Sequence, residues 1–173
     1  ITSNIIEKLI IMEMPVSDYI SQLRGLIGHR ELLVPGARVV IINEKQQVLL
    51  ELRSDFNVWG LPGGSADPGE DIEQTINREV FEETGLVISD VQVFGFSSSP
   101  KYEKITFPND DQIQSFNLLF FCTKYSGKIS FDSNESKAIQ WFSLYELPDM
   151  LPNMERTITA YITFVATGKF QLY

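Results

Sequence analysis

The chain has 173 residues and a net charge of −9, which suits one domain with a full core, or one domain plus a short extension, and leaves no room for a second catalytic domain. Its Lys and Arg residues are scattered, with no run that could follow a phosphate backbone, so a nucleic-acid groove is excluded. The single cysteine, Cys122, rules out an intramolecular disulfide and points to a reducing, cytoplasmic setting.

Residue 1 is Ile rather than Met, as in a fragment or a processed product. Residues 1 to 14, ITSNIIEKLIIMEM, form an apolar run broken by Glu7, Lys8 and Glu13. It is too short for a membrane span and lacks the small-residue cleavage site of a signal peptide, so it reads as an extension, in strand form. Ser17 is placed to cap a helix running through Ile27, with Tyr19, Ile20, Leu23 and Ile27 on one side and Gly28 ending it. His29 follows as a capping or surface residue, since no His or Cys partner would complete a zinc site. Residues 1–33 are thus an N-terminal extension and helix, and 34–173 the domain proper.

From Gly36 the pattern turns to β. GARVVIIN and QQVLLEL are two apolar runs around the turn residues Asn43 to Gln46, the signal of a hairpin or meander. Arg53 closes the second run. An Arg at a strand end is ordinarily solvated, yet this one precedes a glycine loop and is a candidate for binding a substrate phosphate. Trp59 and Leu61 read as core packing that anchors the loop.

The next stretch, Gly63 to Leu86, is GGSADPGEDIEQTINREVFEETGL. Gly63, Gly64, Pro68 and Gly69 punctuate a loop, Asp71 and Gln74 form a capping pair, and Gly85 stops the helix. On that helix Ile72, Ile76, Glu79 and Glu83 share one stripe, with Glu82 on its flank, so the carboxylates extend the apolar face. Like charges at this spacing repel by a few tenths of a kcal/mol, more when desolvated, and ordinary helices turn them outward. Gly64 to Leu86 alone carries seven acids and one base, −6 of the total. A hard divalent cation between the carboxylates resolves the conflict, and an anionic substrate would arrive with it.

Leu86 to Phe96 reads as a strand. Pro100 to Gln112 holds a short strand and the polar turn FPNDD. Further strands are expected at Ile113 to Lys124, Gly127 to Phe131 and Ala138 to Phe142. Cys122 lies in the apolar run LLFFC and reads as a buried, inert thiol. After a brief turn at Leu144 to Leu147, Ile158, Tyr161, Ile162 and Val165 recur at helical spacing in Asn153 to Thr167, which Gly168 ends.

Gly64, five residues, Glu70, seven residues, then Arg78, Glu79, Val80, one residue, Glu82, Glu83, one residue, Gly85 and Leu86 resembles a complete Nudix box, the signature of MutT-like hydrolases. The order β, β, α, several β, α is similar to the Nudix fold, an α/β/α sandwich around a mixed β-sheet, over roughly residues 34 to 167. The resemblance implies Mg²⁺-dependent cleavage, with Mn²⁺ as a substitute, of the diphosphate linkage in a nucleoside diphosphate derivative: a nucleotide, nucleotide sugar or dinucleotide. It implies that the carbonyl of Gly63 joins Glu79, Glu82 and Glu83 as metal ligands. Glu135, in the loop before AIQWF, would complete the metal site or act as base, with Asp132, Asp110 and Asp111 as substitutes. Arg78 would orient the ligand carboxylates, and Glu70 would pair with Arg78 or help activate water. The general base stays open among Glu82, Glu83 and Glu135.

Substrate choice lies outside the box. Tyr102, sixteen residues past Leu86, stands near where some dinucleoside polyphosphate hydrolases of the family carry a base-stacking tyrosine. Pro100 is near, though not at, the proline place of the family's ADP-ribose pyrophosphatases. The alternatives are a nucleotide-sensing Nudix domain and an isoprenoid diphosphate isomerase. The first usually has an eroded box or an appended DNA-binding domain, and residues 1–33 are too short and too weakly basic for one. The second needs a placed Cys and His, which Cys122 fits poorly. Relatives are often homodimers, and residues 1 to 14 are a candidate contributor.

Overall fold

The computed structural model describes residues 19–131 and 136–173. Ser17, the apolar stretch 1 to 14, Asp132 and Glu135 therefore lie outside the described residues. Helix α1 (Tyr19–Ile27) ends at Gly28, whose φ of 63° is the left-handed cap a glycine supplies. Ile20, Leu23 and Ile27 are half-buried. Arg24 Nη2 donates to the carbonyl of Gln112 at 2.7 Å, tying this helix to the domain.

Three sheets follow from the strands β1 (Leu32–Ile41), β2 (Gln47–Arg53), β3 (Trp59–Gly60), β4 (Gly63–Ser65), β5 (Leu86–Ser89), β6 (Gln92–Ser97), β7 (Lys104–Thr106), β8 (Gln112–Cys122), β9 (Lys124–Gly127), β10 (Ser136–Ser143) and β11 (Gln171–Leu172). The central sheet has the order β11-β6-β8-β1-β4, with β7 on β8; a second has the order β10-β2-β3, and β5 pairs with β9. The central sheet is mixed. β1 runs parallel to β8 from Leu32 beside Ile113 to Ile41 beside Cys122, whereas β4 pairs antiparallel with β1 and β6 antiparallel with β8.

Strand β1 is buried on both faces, which is why its apolar run is nearly continuous. Ala37, Val39 and Ile41 pack with Ile76 and Val80 of helix α2 (Ile72–Thr84). Val40 and Ile42 pack on the other side with Phe94 and with Met154, Ile158 and Tyr161 of helix α4 (Pro152–Thr167). A short helix α3 (Pro100–Glu103) precedes β7. The result is an α/β/α sandwich with a mixed sheet. Among the described residues, no helix is long and apolar enough to cross a membrane.

Several elements differ from the sequence reading. The expected β1–β2 hairpin is reduced to one bridge, Ile42 with Val48, beyond which β2 leaves for the second sheet. Each strand has both faces to bury and finds its long partner elsewhere. The single strand over Leu86 to Phe96 is two, broken at Asp90, whose φ of 51° turns the chain between sheets. The strand expected at Gly127 to Phe131 instead spans Lys124–Gly127; Gly127 (φ 98°) bends the chain over the end of α2, where Ser130 N–H donates to Thr84 O. Strand β11, which pairs parallel with β6, was not foreseen from its two-residue length.

Candidate active site

Helix α2 enters through a capping box. Gln74 N–H donates to Asp71 Oδ1 and Asp71 N–H to Gln74 Oε1, both at 2.8 Å. It leaves through Gly85 (φ 71°), whose N–H donates to Phe81 O. With both ends set and Ile76 and Val80 fixed in the core, Glu79 and Glu83 are directed at the loop that carries β4. Gly63 N–H donates to Glu83 Oε2 at 2.9 Å. A Cβ on Gly64 would lie 2.4 Å from the Glu79 carboxyl carbon, so no other residue leaves room for that side chain.

Arg78 lies within this cluster. Its Nε and Nη2 donate to the two oxygens of Glu70 at 2.6 and 3.0 Å, a bidentate fork. Nη1 donates to both Glu79 Oε1 (2.9 Å) and Glu82 Oε2 (3.1 Å), and Nη2 also reaches the Ser65 carbonyl at 3.0 Å. One guanidinium thus joins the loop, the helix start and two acids of the helix end.

The carboxylates are electrostatically unequal. Arg78's fork, joined by the Asp67 N–H and the Thr75 hydroxyl against a desolvation cost, holds Glu70 down to about 2. Burial pushes Glu79 up to about 7 despite Arg78, with the charges of Glu82 and Asp67 adding to the rise. Burial also raises Glu83 well above the usual range, reinforced by the negative charges of Glu51 and Glu79. Glu82 is the exposed member, with 53% of its side chain open to solvent.

Glu51 is an acid that the sequence reading missed. It is 2% exposed on β2, accepts from Ser136 Oγ at 2.8 Å and stands 3.6 Å from Arg53 Nη1. The signal was a lone acid inside the apolar run VLLEL. Arg53 itself is gripped by Asp55, with Nε and Nη2 donating at 3.1 and 2.8 Å.

Glu51, Arg53, Gly63, Gly64, Glu79 and Glu83 all line one cavity of about 430 Å³, a volume in the range of small-molecule sites. Its other walls include Phe56, Phe107, Asn117 and Asn153. Glu82, Glu70 and Arg78 do not line it. Tyr102 does not line the cavity; its ring meets Tyr173 edge-on at 6.0 Å, and the aromatic rings at the cavity are Phe56 and Phe107. Asp110 and Asp111 are also away from it, Asp111 accepting from His29 Nδ1 at 2.8 Å at the surface. Cys122 is buried, and burial pushes its thiol up to about 12.

The cavity's acidic wall offers oxygen donors and no His or Cys, which suits a hard cation rather than zinc. Two half-buried carboxylates raised by desolvation also call for a positive neighbour. Among the described residues, no three such acids are gathered closely enough to hold an ion as they stand.

A glycine loop backed by a helix of convergent carboxylates, opening on a nucleotide-sized cavity, defines a class of phosphate-anhydride hydrolases. Residues 32–162 match the NUDIX domain, and the chain belongs to the Nudix family. It is 38% identical over 124 residues to a candidate 8-oxo-dGTP diphosphatase of Bacillus subtilis (strain 168), covering 71% of this chain and 76% of that one. It is 28% identical over 143 residues to the ADP-ribose pyrophosphatase of Methanocaldococcus jannaschii, covering 80% of each. Among solved structures, the MutT NUDIX hydrolase from Burkholderia pseudomallei superposes with a TM-score of 0.63 at 22% identity, over 75% of this chain and 98% of that one, a likeness of fold.

Proposed function

We propose that this protein cleaves the diphosphate linkage of a nucleoside diphosphate derivative with Mg²⁺, or Mn²⁺ in its place, yielding a nucleotide and a phosphorylated fragment or pyrophosphate. The observation that carries the reading is the pair Glu79 and Glu83, half-buried against Gly64 and Gly63 on the wall of the cavity that also holds Arg53. Glu79, Glu82, Glu83 and the Gly63 carbonyl would hold the cation, with Glu135 as a further ligand or base. A bound divalent cation supplies offset charge on the diphosphate and a water of lowered pKa.

The chain's own groups do the rest. Arg53, on the cavity wall, would meet the phosphates. Glu83 is kept oriented by Gly63 N–H, and Glu79 by Arg78 and by the space at Gly64. Glu70 and Arg78 hold loop and helix in register, so the carboxylates are placed before substrate arrives. The base that takes the water's proton is Glu82, Glu83 or Glu135. The buried thiol suits a cytoplasmic setting, and the homodimer reading is checked by size-exclusion chromatography with and without residues 1 to 14.

The test is a panel of nucleoside diphosphate sugars, dinucleoside polyphosphates and nucleoside triphosphates, with products identified by mass. Turnover of at least one class, abolished by chelator and restored by Mg²⁺, supports the reading. Tight nucleotide binding with no turnover would make this a sensing domain instead.

A further inference from the structure

One wall of the cavity is a face of the β1–β8 pair, where the parallel register sets Gly36 beside Asn117 and Val34 beside Ser115. Behind it lies a buried polar cluster. Glu103, at the end of α3, is fully buried and accepts from Arg38 through both terminal nitrogens, at 3.3 and 3.1 Å. A carboxylate clamped by a guanidinium has only acceptors to offer, so an amide beside it must present its NH₂. Asn117 does so, its Nδ2 donating to Glu103 Oε2 at 3.1 Å. Asn153 touches the same carboxylate more loosely, at 3.5 Å.

The consequence is that Asn117 cannot flip without setting two acceptors face to face. Its Oδ1 is therefore fixed as an acceptor, and it lies 2.8 Å from where a Cβ on Gly36 would stand, a place the Gly64 carbonyl oxygen also approaches at 2.5 Å. The same cavity is lined by Phe56 and Phe107, with ring centroids 5.4 Å apart, and by Ile105 and Ile113 further along the β7–β8 pair. Apolar rings and one oriented acceptor in a single cavity suit a flat heterocycle that carries a donor.

We infer that Asn117 is a specificity-determining residue whose amide oxygen accepts from the base of the substrate, and that Glu103 is the positioning residue fixing that oxygen as an acceptor. The favoured class is a nucleobase with an exocyclic amino group over its keto counterpart, which would meet Oδ1 with another acceptor. This rests on the diphosphate reading above, and its test is built to fail separately.

Calorimetry on the full chain with Mg²⁺ compares the α,β-methylene analogues of ADP against IDP and of CDP against UDP, which differ by amino or keto and resist hydrolysis. Wild type is expected to bind the amino member of at least one pair about tenfold more tightly, the worth of one hydrogen bond. Asn117→Ser and Asn117→Leu are expected to bring that ratio close to one, the former guarding against misfolding by the latter. Glu103→Gln offers either face of an amide and frees Asn117 to flip, so it should shrink the preference while moving KM rather than kcat on the cleavable parent. Equal binding of both pairs by wild type, no binding at all, or a preference kept in Asn117→Ser overturns the inference. A preference that holds while no nucleotide is turned over would count against the hydrolase reading alone.

Discussion

Arg78 Nε stands 2.6 Å from Glu70 Oε1, an ion pair that crosses from the last turns of α2 back to the residue before its cap. It closes the glycine loop on the helix, and through Nη1 the same guanidinium meets Glu79 and Glu82. Charge-assisted forks of this kind place side chains as well as stabilise them.

Glu70→Gln should therefore cost about 1–2 kcal/mol of stability at pH 7, as expected for hydrogen bonds to a charged group. The pH dependence has a definite sign. Glu70 is held down to about 2 from an ordinary 4.5, so its contribution is full above pH 4.5 and is lost as pH falls through 2. Urea melts of wild type and variant between pH 3 and 7 should converge toward the acid end, at roughly the window those values define.

Glu79 has the opposite sign. Raised to about 7 by burial, it leaves the metal-free folded protein unpenalised below pH 4.5 and increasingly destabilised as pH rises through 7. Glu79→Gln keeps an oxygen for Arg78 and removes the buried charge. In chelator at pH 8 it should melt roughly 4–8 °C above wild type, from about 2 kcal/mol, with little difference at pH 4.5. Added Mg²⁺ should raise the melting temperature of wild type and not of the variant.

The two loop glycines should separate placement from folding. Gly64→Ala sets a methyl 2.4 Å from the Glu79 carboxyl carbon, and the side chain must move. A loss of at least about 100-fold in kcat is expected, with a near-native melt, since a misplaced ligand costs that order. Gly63→Ala meets backbone, Ala37 O at 2.3 Å, from a φ of 145°. It should lose about 2–4 kcal/mol of stability, visible by circular dichroism before any assay.

The acidic helix was legible because its spacing converts directly into a face, and because carboxylates on an apolar stripe demand a partner. Glu51 was not, since a single acid in a strand gives no direction until β2 is known to pass Ser136 and Arg53. Asp90 could not be seen to break a strand, because a lone left-handed Asp leaves no mark in an otherwise alternating run. Tyr102 and Phe107 show the same limit from the other side. Both are aromatics in one short segment, and only the packing of α3 and β7 against β8 decides that Phe107 meets the cavity while Tyr102 meets Tyr173.

The central claim, that the acids of α2 carry diphosphate hydrolysis, is tested most directly by rate. Release of nucleoside monophosphate from the best substrate of the panel is followed in Mg²⁺ for wild type, Glu82→Gln and Glu83→Gln, all shown to be folded. The account predicts that at least one of the two substitutions lowers kcat by about 100-fold or more, the scale of a lost general base or metal ligand. Turnover within a few-fold of wild type in both variants would contradict it.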